Sequence, residues 1–348
     1  MDSQYKYPEE LYEEVIRLRE QAISEGKGWS DIYDRFPDIP KSTLKDIFYR
    51  WRDRIQPPVP QVKSALSEGD IVNEEEVWRL ALQKSKKRRE IEESKNGQEI
   101  IFEHGPVCLV WLADLHLGDT GVDYDRLDQD LDLILDTPGM YACLVGDITN
   151  NFIVGRLKDL RLGAEFSISE EWVLAKRVLK KIAPRLLLSV AGNHDLWTYA
   201  LTSVDYLAEI HDRINPDVLY SKYDAGVKIV VGQAKYMARV RHTWRGYSQY
   251  NPTHGIEWAA KFDQARPFDI GIAAHTHASG LYRQFNNGGK TGHALLCGSY
   301  KVYDDYAEKM AYPRANDSAA VALMFYGDTI SGTNNIRAAA TFMETAYS

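Results

Sequence analysis

Residues 107–118 read VCLVWLADLHLG, an apolar run that ends in an acidic residue and a histidine, Asp114 and His116. A short apolar run bounded by polar residues is typical of a buried strand. Four further apolar runs end in residues of the same kinds: Gly146-Asp147, Gly192-Asn193-His194-Asp195, His242 and His275-Thr276-His277. One Asp or His after a strand is usually a turn or capping residue, but five such ends in series rarely arise by chance. We therefore expect the chemistry of this protein at strand ends.

After Gly97 the sequence alternates between short apolar runs and amphipathic helical stretches. The predicted strands cover residues 107–113, 141–145, 186–191, 228–232, 238–242, 269–274, 294–297 and 319–325. The predicted helices cover residues 124–135, 170–183, 202–213 and 256–264. This alternation predicts an α/β layered domain with paired sheets and outer helices.

The residue types at the strand ends suit a site with two metal ions. Two divalent ions about 3.5–4 Å apart need a shared anionic ligand, which a carboxylate can supply and an imidazole cannot. Asp147 is the candidate bridge. Mixed Asp, His and Asn ligands favour transition ions, whereas an all-carboxylate site would favour Mg²⁺ or Ca²⁺. We expect two divalent ions, with Mn²⁺ as the first expectation and Fe, Zn²⁺ or Ni²⁺ as the alternatives.

The order of the motifs resembles that of a known family. Asp-x-His, Gly-Asp, Gly-Asn-His-Asp, a single His and x-His-x-His, spread over residues 107–310, are similar to the motifs of the calcineurin-like metallophosphoesterases. The resemblance implies a four-layer αββα double β-sandwich. It also implies two metal sites, one formed by Asp114, His116, Asp147 and His277 and the other by Asp147, Asn193, His242 and His275.

The same resemblance implies two catalytic residues. His194 would lie beside the scissile phosphate and protonate or stabilise the leaving oxygen. Asp195 would orient His194 from behind.

Departures from the family pattern narrow the reaction that the resemblance implies. Ala274 stands where the last motif usually has Gly. No Asp-Arg-Gly follows Asp147, and the third motif ends in Asp195 rather than Glu, which favours the phosphodiesterase and nuclease branches. Residues 114–118 are similar to the opening of SbcD-type DNA exonucleases and of lipid-sugar pyrophosphohydrolases. Residues 241–255 and 298–302 resemble phage-encoded members of the family.

The loop after His242 offers candidate substrate contacts. Arg245, Tyr247, Tyr250 and His254 could hold a phosphate and stack on a base or a sugar. Packing of an exposed aromatic loop is the alternative interpretation.

Residues 1–56 predict three short helices, with a proline-containing turn before the last one. In the third helix the apolar residues recur at helical spacing from Leu44 to Ile55. Residues 41–54 carry five basic residues against two acidic ones; the basic residues are Lys41, Lys45, Arg50, Arg52 and Arg54. This pattern resembles a helix-turn-helix DNA-binding domain, and a small helical bundle for protein contact is the alternative.

Residues 57–98 predict a linker followed by a charged helix. Pro57, Pro58 and Pro60 cannot continue a helix and favour an extended spacer. Asn73 is expected to cap a helix with glutamates in its first turn and a basic cluster further on. The metallophosphoesterase domain would then cover residues 99–348.

Composition excludes several classes of protein. The chain has 42 Lys and Arg against 50 Asp and Glu, a net charge of −8, which argues against indiscriminate coating of nucleic acid but leaves room for a local basic face. Its three cysteines form no CxxC pair, so we expect neither a cysteine zinc site nor a disulfide-linked partner. No apolar run approaches the roughly 18 residues of a spanning helix and no secretory signal opens the chain. We expect no membrane association and a cytoplasmic location, in a host cell if the protein is phage-encoded; the oligomeric state stays open.

Together these features predict a two-metal phosphoesterase that hydrolyses phosphodiester bonds, as a DNA nuclease or phosphodiesterase brought to DNA by its N-terminal arm. One alternative keeps the chemistry and changes the substrate to nucleotides or other small phosphoesters. Another is a DNA-binding regulator whose metal domain is structural. His194 argues against the regulator, because a structural domain has no use for a leaving-group acid.

Overall fold

The computed structural model describes residues 7–52, 73–95, 97–153, 166–246, 248, 250–302 and 317–348. The chain divides into two compact units, Met1–Arg79 and Leu80–Ser348. Arg54, the proline-containing segment 57–72 and Tyr247 lie outside the described residues.

The first unit contains the three predicted helices: α1 (Glu9–Ser24), α2 (Ser30–Arg35) and α3 (Lys41–Trp51). Their apolar faces share one small core, formed by Tyr12, Val15, Ile16, Leu44, Ile47 and Phe48. Trp29 packs its ring edge-on against Phe48, at a centroid distance of 5.9 Å. The apolar spacing in α3 therefore identified the face that packs against α1.

Helix α4 (Glu74–Lys95) begins where the sequence predicted. The Asn73 side chain accepts a hydrogen bond from the backbone N–H of Glu76 at 3.2 Å, as expected of a capping residue. The described side chains of α4 are exposed, including Trp78 at 63%.

The second unit is built on two six-stranded sheets. In chain order the strands are β1 (Glu99–Phe102), β2 (Val107–Leu112), β3 (Met140–Val145), β4 (Leu186–Val190), β5 (Leu219–Ser221), β6 (Ala225–Val231), β7 (Ala234–Val240), β8 (Ile270–Ala273), β9 (Leu281–Asn287), β10 (Lys290–Leu296), β11 (Val321–Tyr326) and β12 (Thr329–Thr333). The first sheet has the order β12-β11-β2-β3-β4-β5, and the second has the order β1-β6-β7-β8-β10-β9.

Parallel pairing aligns the strands that carry the site. In the first sheet β2, β3, β4 and β5 are parallel neighbours, while β11 runs antiparallel to β2. In the second sheet β7, β8 and β10 are parallel neighbours. The carboxyl ends of these strands therefore lie along one edge of each sheet.

In the described part of the second unit six helices accompany the sheets: α5 (Tyr124–Asp136), α6 (Ile168–Ile182), α7 (Asn193–Thr202), α8 (Tyr206–Ile214), α9 (His254–Phe262) and α10 (Ile336–Tyr347). The core between the sheets joins Leu109 and Trp111 of the first sheet to Ile229 and Ile272 of the second. Helices α5, α6, α8 and α10 pack on the other face of the first sheet. Helix α9 packs on the outer face of the second. This is the predicted αββα double sandwich, preceded by an all-α region.

Some elements differ from the sequence-based prediction. The helix predicted over 202–213 begins at Tyr206, because Ser203 ends the preceding helix α7 in a left-handed conformation with φ of 61°. Strand β10 starts at Lys290 and pairs with β9 in a hairpin. Strands β1, β5, β9 and β12 and helix α7 were not predicted, and neither was helix α10, although its buried residues recur at helical spacing.

All three cysteines, Cys108, Cys143 and Cys297, are buried and free. Burial raises the pKa of the Cys108 thiol to about 12. Across the described ranges, no helix combines the length and the apolar character needed to cross a membrane.

Candidate metal centre

The predicted ligands follow the carboxyl ends of strands in both sheets. In the first sheet they follow β2 (Asp114, His116), β3 (Asp147) and β4 (Asn193), and in the second they follow β7 (His242) and β8 (His275, His277). His116 lies against His277, with 4.7 Å between ring centroids, so the strand ends of the two sheets meet. The site is therefore assembled across the sandwich.

Five of these ligands have a positive φ: Asp114 (48°), His116 (45°), Asp147 (51°), His275 (75°) and His277 (51°). Non-glycine residues in this left-handed region cost about 1–3 kcal/mol each and occur where the surrounding structure enforces them. Among the described residues, seven non-glycine residues have a positive φ, and five of them are predicted metal ligands.

One group of ligand atoms comprises Asp114, His116 and His277, all within 4.8 Å of one another. The two Nε2 atoms of His116 and His277 are 2.9 Å apart. Asp114 Oδ1 lies 3.8 Å from His116 Nε2 and 3.6 Å from His277 Nε2. Asp147 Oδ2 approaches His116 Nε2 to 3.9 Å. These are the four residues predicted for the first metal.

A second group comprises Asp147, His242 and His275. Asp147 Oδ2 is 3.1 Å from His242 Nε2, and His242 Nε2 is 3.2 Å from His275 Nδ1. Asn193, the fourth residue predicted for this metal, is the first residue of α7. Asp147 is therefore near both groups, as a bridging carboxylate must be.

Orphaned polar atoms test whether these residues fit cations. Asp114 Oδ1 and Asn193 Oδ1 are buried and, among the described residues, have no hydrogen-bond partner. Burying an unsatisfied polar atom costs free energy, and facing imidazole nitrogens need a proton or a cation between them. The donor set of carboxylates, imidazoles and one amide therefore fits two divalent transition ions.

His242 shows how strongly the groups interact. Its Nδ1 donates a hydrogen bond to the Val145 carbonyl oxygen at 2.7 Å, so its Nε2 faces Asp147. Burial lowers the pKa of His242, but the Asp147 and Asp114 carboxylates and the Val145 carbonyl together outweigh burial and raise that pKa to about 10. The same contacts that hold a proton on Nε2 would hold a cation there.

His194 lies beside both groups with one ring nitrogen anchored. Its Nδ1 is 2.5 Å from the Asn150 carbonyl oxygen, which can only accept, so Nδ1 carries the proton. Its Nε2 lies 3.8 Å from Asp147 Oδ2. His116, Asp147 and His194 also form a third group with ligand atoms within 4.8 Å. The ring packs against Trp197 at a centroid distance of 4.0 Å.

Asp195 does not make the contact that was expected of it. Its carboxylate accepts hydrogen bonds from the backbone N–H groups of Gly192 (2.9 Å), Ile148 (2.9 Å) and Thr149 (3.3 Å). Burial, together with the Asp147 carboxylate, raises the pKa of Asp195 to about 7. Asp195 therefore holds the turn that carries Asp147, while the Asn150 carbonyl orients His194.

The residues predicted to contact substrate, Tyr247 apart because it lies outside the described residues, are exposed and belong to none of the three ligand groups. Tyr250 is fully exposed at 102%, Arg245 is exposed, and His254 begins α9 on the surface. The loop that carries them is anchored near the site, because the Trp244 indole donates a hydrogen bond to the Ile272 carbonyl oxygen at 2.7 Å.

The basic residues of α3 are exposed in the first unit. Lys41, Lys45 and Arg52 follow one another along one side of the helix, and Arg50 pairs with Asp46 at 2.6 Å. Tyr49 on the same helix is 62% exposed.

Two residues near the site were missed by sequence reasoning, namely Asp119 and Lys301. They form a buried ion pair at 2.8 Å. Lys301 was noted in the sequence only as part of residues 298–302. Asp119 was not predicted as a site residue, because its partner Lys301 lies far away in the sequence.

Comparison with solved structures gives distant similarities. No protein-family model matches the chain, and no curated protein matches it. Vps29 of Chaetomium thermophilum is similar with a TM-score of 0.33 and 12% identity, over 65% of this chain and 96% of that chain. The nuclease MPE of Pseudomonas putida is similar with a TM-score of 0.29 and 11% identity, over 65% of this chain and 87% of that chain.

Neither similarity indicates a function. The function must be inferred from the site residues. The paired sheets and the clustered ligands agree with the resemblance to the calcineurin-like metallophosphoesterases.

Proposed function

We propose that this chain is a two-metal phosphoesterase that hydrolyses phosphodiester bonds in DNA. The observation that carries the proposal is the position of Asp147, which lies near both groups of ligand atoms. Asp114 Oδ1 also lies 3.9 Å from His242 Nε2, but Asp147 Oδ2 makes the closer approach to that imidazole, at 3.1 Å.

Each group of side chains has a role in this reaction. Asp114, His116 and His277 would hold one ion, Asn193, His242 and His275 the other, and Asp147 both. Two bound divalent ions would activate a water nucleophile and offset the charge that develops on the phosphate. His194, anchored through its Nδ1–H by Asn150, would act in its doubly protonated form, giving the Nε2 proton to the leaving oxygen and returning to the neutral Nδ1–H ring.

Exposure indicates where substrate would approach. Asp114, His116, Asp147 and His242 are buried, whereas His275 and His277 are exposed. The phosphate would therefore enter from the side of the second sheet, where the loop after β7 presents Arg245 and Tyr250. We propose that this loop contacts the sugar-phosphate chain.

The first unit supports DNA as the substrate. Helix α3 places three basic side chains along one side, next to an exposed tyrosine. Such a helix can contact phosphates and enter the major groove. A second candidate, hydrolysis of nucleotides or other small phosphoesters, is favoured by the location of every proposed ligand in the second unit.

The test is an activity panel on the full-length protein loaded with Mn²⁺, Fe²⁺, Zn²⁺ or Ni²⁺. The substrates are bis-p-nitrophenyl phosphate, p-nitrophenyl phosphate, nucleotides, single- and double-stranded DNA, and RNA. We expect metal-dependent hydrolysis of the diester and of DNA, lost in Asp147→Asn and retained in the surface variant Asp125→Asn. Hydrolysis of small esters or nucleotides but not of DNA would select the second candidate. A metal-loaded protein that is inactive on every ester would overturn the phosphoesterase proposal.

A further inference from the structure

A buried ion pair lies beside the candidate metal centre. Lys301 Nζ is 2.8 Å from Asp119 Oδ2, and the two side chains are only 4% and 10% exposed. The Lys301 ammonium is also 5.4 Å from the centroid of the Phe152 ring, which contacts the His194 ring. Removing two charges from water is costly, so a buried pair is weak evidence for stability alone.

Asp119 connects the two loops that follow β2 and β3. Its backbone N–H donates to the carbonyl oxygen of His116 at 3.0 Å. Its Oδ1 accepts from the Gly121 N–H at 2.9 Å, which fixes the rotamer of the carboxylate. Its Oδ2 then accepts from the side-chain amide of Asn150 at 2.9 Å, in addition to Lys301. The fixed Asp119 carboxylate therefore holds the side chain of Asn150 in place.

Asn150 passes this constraint to His194. The Asn150 carbonyl oxygen accepts from His194 Nδ1, and its N–H donates to the carbonyl oxygen of Leu117 at 3.2 Å. Asn150 is 3% exposed. Because both the side chain and the backbone of Asn150 are hydrogen-bonded, the orientation of its carbonyl oxygen is fixed. The hydrogen bond to that oxygen then fixes the orientation of the His194 ring.

We propose that Asp119 and Lys301 are positioning residues that act on His194 through Asn150, holding the ring by its Nδ1–H so that, in the doubly protonated ring, the Nε2 proton points at the leaving oxygen of the substrate. The inference rests on the proposed phosphoesterase function. According to this inference, the buried ion pair assists protonation of the leaving group and does not bind metal. Its alternative is a purely structural clamp between loops.

The first variant is Asn150→Ala, which removes the amide that Asp119 holds and leaves the ion pair and the backbone carbonyl in place. Loss of such an outer contact typically lowers activity by about 10-fold to 100-fold. We expect a loss of this size in kcat for methyl phenyl phosphate, a smaller loss for methyl p-nitrophenyl phosphate, and unchanged KM and metal content. A poor leaving group depends more on a well-placed proton than a good one does. Loss of a purely structural clamp would lower kcat equally for the two esters.

A double-mutant cycle sharpens the test. In a His194→Ala background, Asn150→Ala should cause no further loss, because the group that it positions is gone. The paired variant Asp119→Asn/Lys301→Met removes both charges without leaving one buried alone and should show the same leaving-group dependence. Asn215→Ala is the matched control: its side-chain amide bonds the carbonyl oxygens of Ala183 and Leu186 at the amino end of β4. This control should retain full activity on both esters.

A spectroscopic measurement separates this inference from the function on which it rests. Ring ¹⁵N spectra of the Zn²⁺-loaded full-length protein, with His194 assigned from the His194→Gln variant, should show the Nδ1-protonated ring. In Asn150→Ala the two tautomers should mix. An unchanged tautomer, equal losses on both esters, or an undiminished loss in the His194→Ala background would overturn the positioning role. If the wild-type protein cleaves no ester, the proposed function fails, and the tautomer still decides whether Asn150 positions His194.

Discussion

Asp147 is the residue on which both ligand groups depend. Asp147→Asn keeps the shape of the side chain but replaces an anionic ligand with a neutral amide, which is a poor bridge between two cations. We expect turnover to fall to background and the bound metal to drop below two ions per chain. Metal analysis and steady-state kinetics measure both effects. Full occupancy with unchanged turnover would show that Asp147 bridges nothing.

The role of His194 can be tested by comparing turnover of substrates that differ in their leaving group. His194→Ala should retain both metals and lower turnover by about 10²–10⁴-fold, the usual value of positioned proton transfer. The loss should shrink for p-nitrophenyl esters, which need little protonation. Loss of metal in this variant would instead make His194 a ligand, as its place in the third group of ligand atoms allows.

For single residues, the sequence predicted which side chains belong to the site better than it predicted the contacts between them. Asp114, Asp147 and His242 could be found because each follows an apolar run. The contact from the Asn150 carbonyl to His194 could not, because a backbone oxygen carries no residue identity. The family resemblance implied that task for Asp195, and in the structure its carboxylate accepts hydrogen bonds from backbone N–H groups instead.

Among the structural elements, the turn between β4 and α7 is the most tightly packed against the site. A Cβ on Gly192 would lie 2.0 Å from Asp147 Oδ1 and 2.3 Å from its backbone nitrogen. We expect Gly192→Ala to displace Asp147, weaken metal binding and reduce the free energy of unfolding by about 1–3 kcal/mol. Gly226→Ala in β6 is the matched control, since nothing lies within 4 Å of the added Cβ. Equal melting temperatures and metal affinities for the two variants would contradict this account.

Helix α8 carries a pH-sensitive histidine away from the site. His211 is 3% exposed, and burial lowers its pKa from 6.5 to about 4. Below pH 6.5 the unfolded chain binds a proton that the folded protein does not, so the free energy of unfolding falls as the pH drops from 6.5 towards 4. The contribution of this residue is about 3 kcal/mol.

Urea unfolding at several pH values measures this effect. The His211→Leu variant cannot take up the proton, so its free energy of unfolding should decline less steeply than that of the wild type between pH 6.5 and 4. Parallel curves for the two proteins would show that His211 does not titrate differently in the folded state.

Elements were predictable where burial imposes a pattern. The central strands β2, β3 and β4 are buried on both faces and appear as continuous apolar runs. Strand β9 alternates between exposed and half-buried residues at a sheet edge and gives a weak signal. Helix α7 was missed because its first residues, Asn193 to Asp195, appear in the sequence as a catalytic turn.

At the scale of the whole molecule, the net charge of −8 hides a local basic helix. Neutralising Lys41, Lys45, Arg50 and Arg52 to Gln should weaken DNA binding and reduce the slope of log K against log salt by up to about 4. Hydrolysis of a small diester should be unaffected, because the proposed ligands all lie in the second unit.

The control for that variant carries the same change in charge elsewhere. Lys180, Arg213, Lys235 and Lys290 are exposed and scattered over four elements of the second unit. Their replacement by Gln should leave most of the salt slope intact. Equal effects of the two sets would indicate that binding follows total charge, and helix α3 would lose its special role.

The first and the second group of ligand atoms each draw on both halves of the sandwich. Asp114 and His116 come from the first sheet and His277 from the second, while Asp147 of the first sheet meets His242 and His275 of the second. An ion in either group would therefore cross-link the two layers, and its binding free energy would add to the stability of the native state by mass action. In such a protein, chelation would lower the melting temperature as well as the activity, because it would remove a cross-link between the two layers.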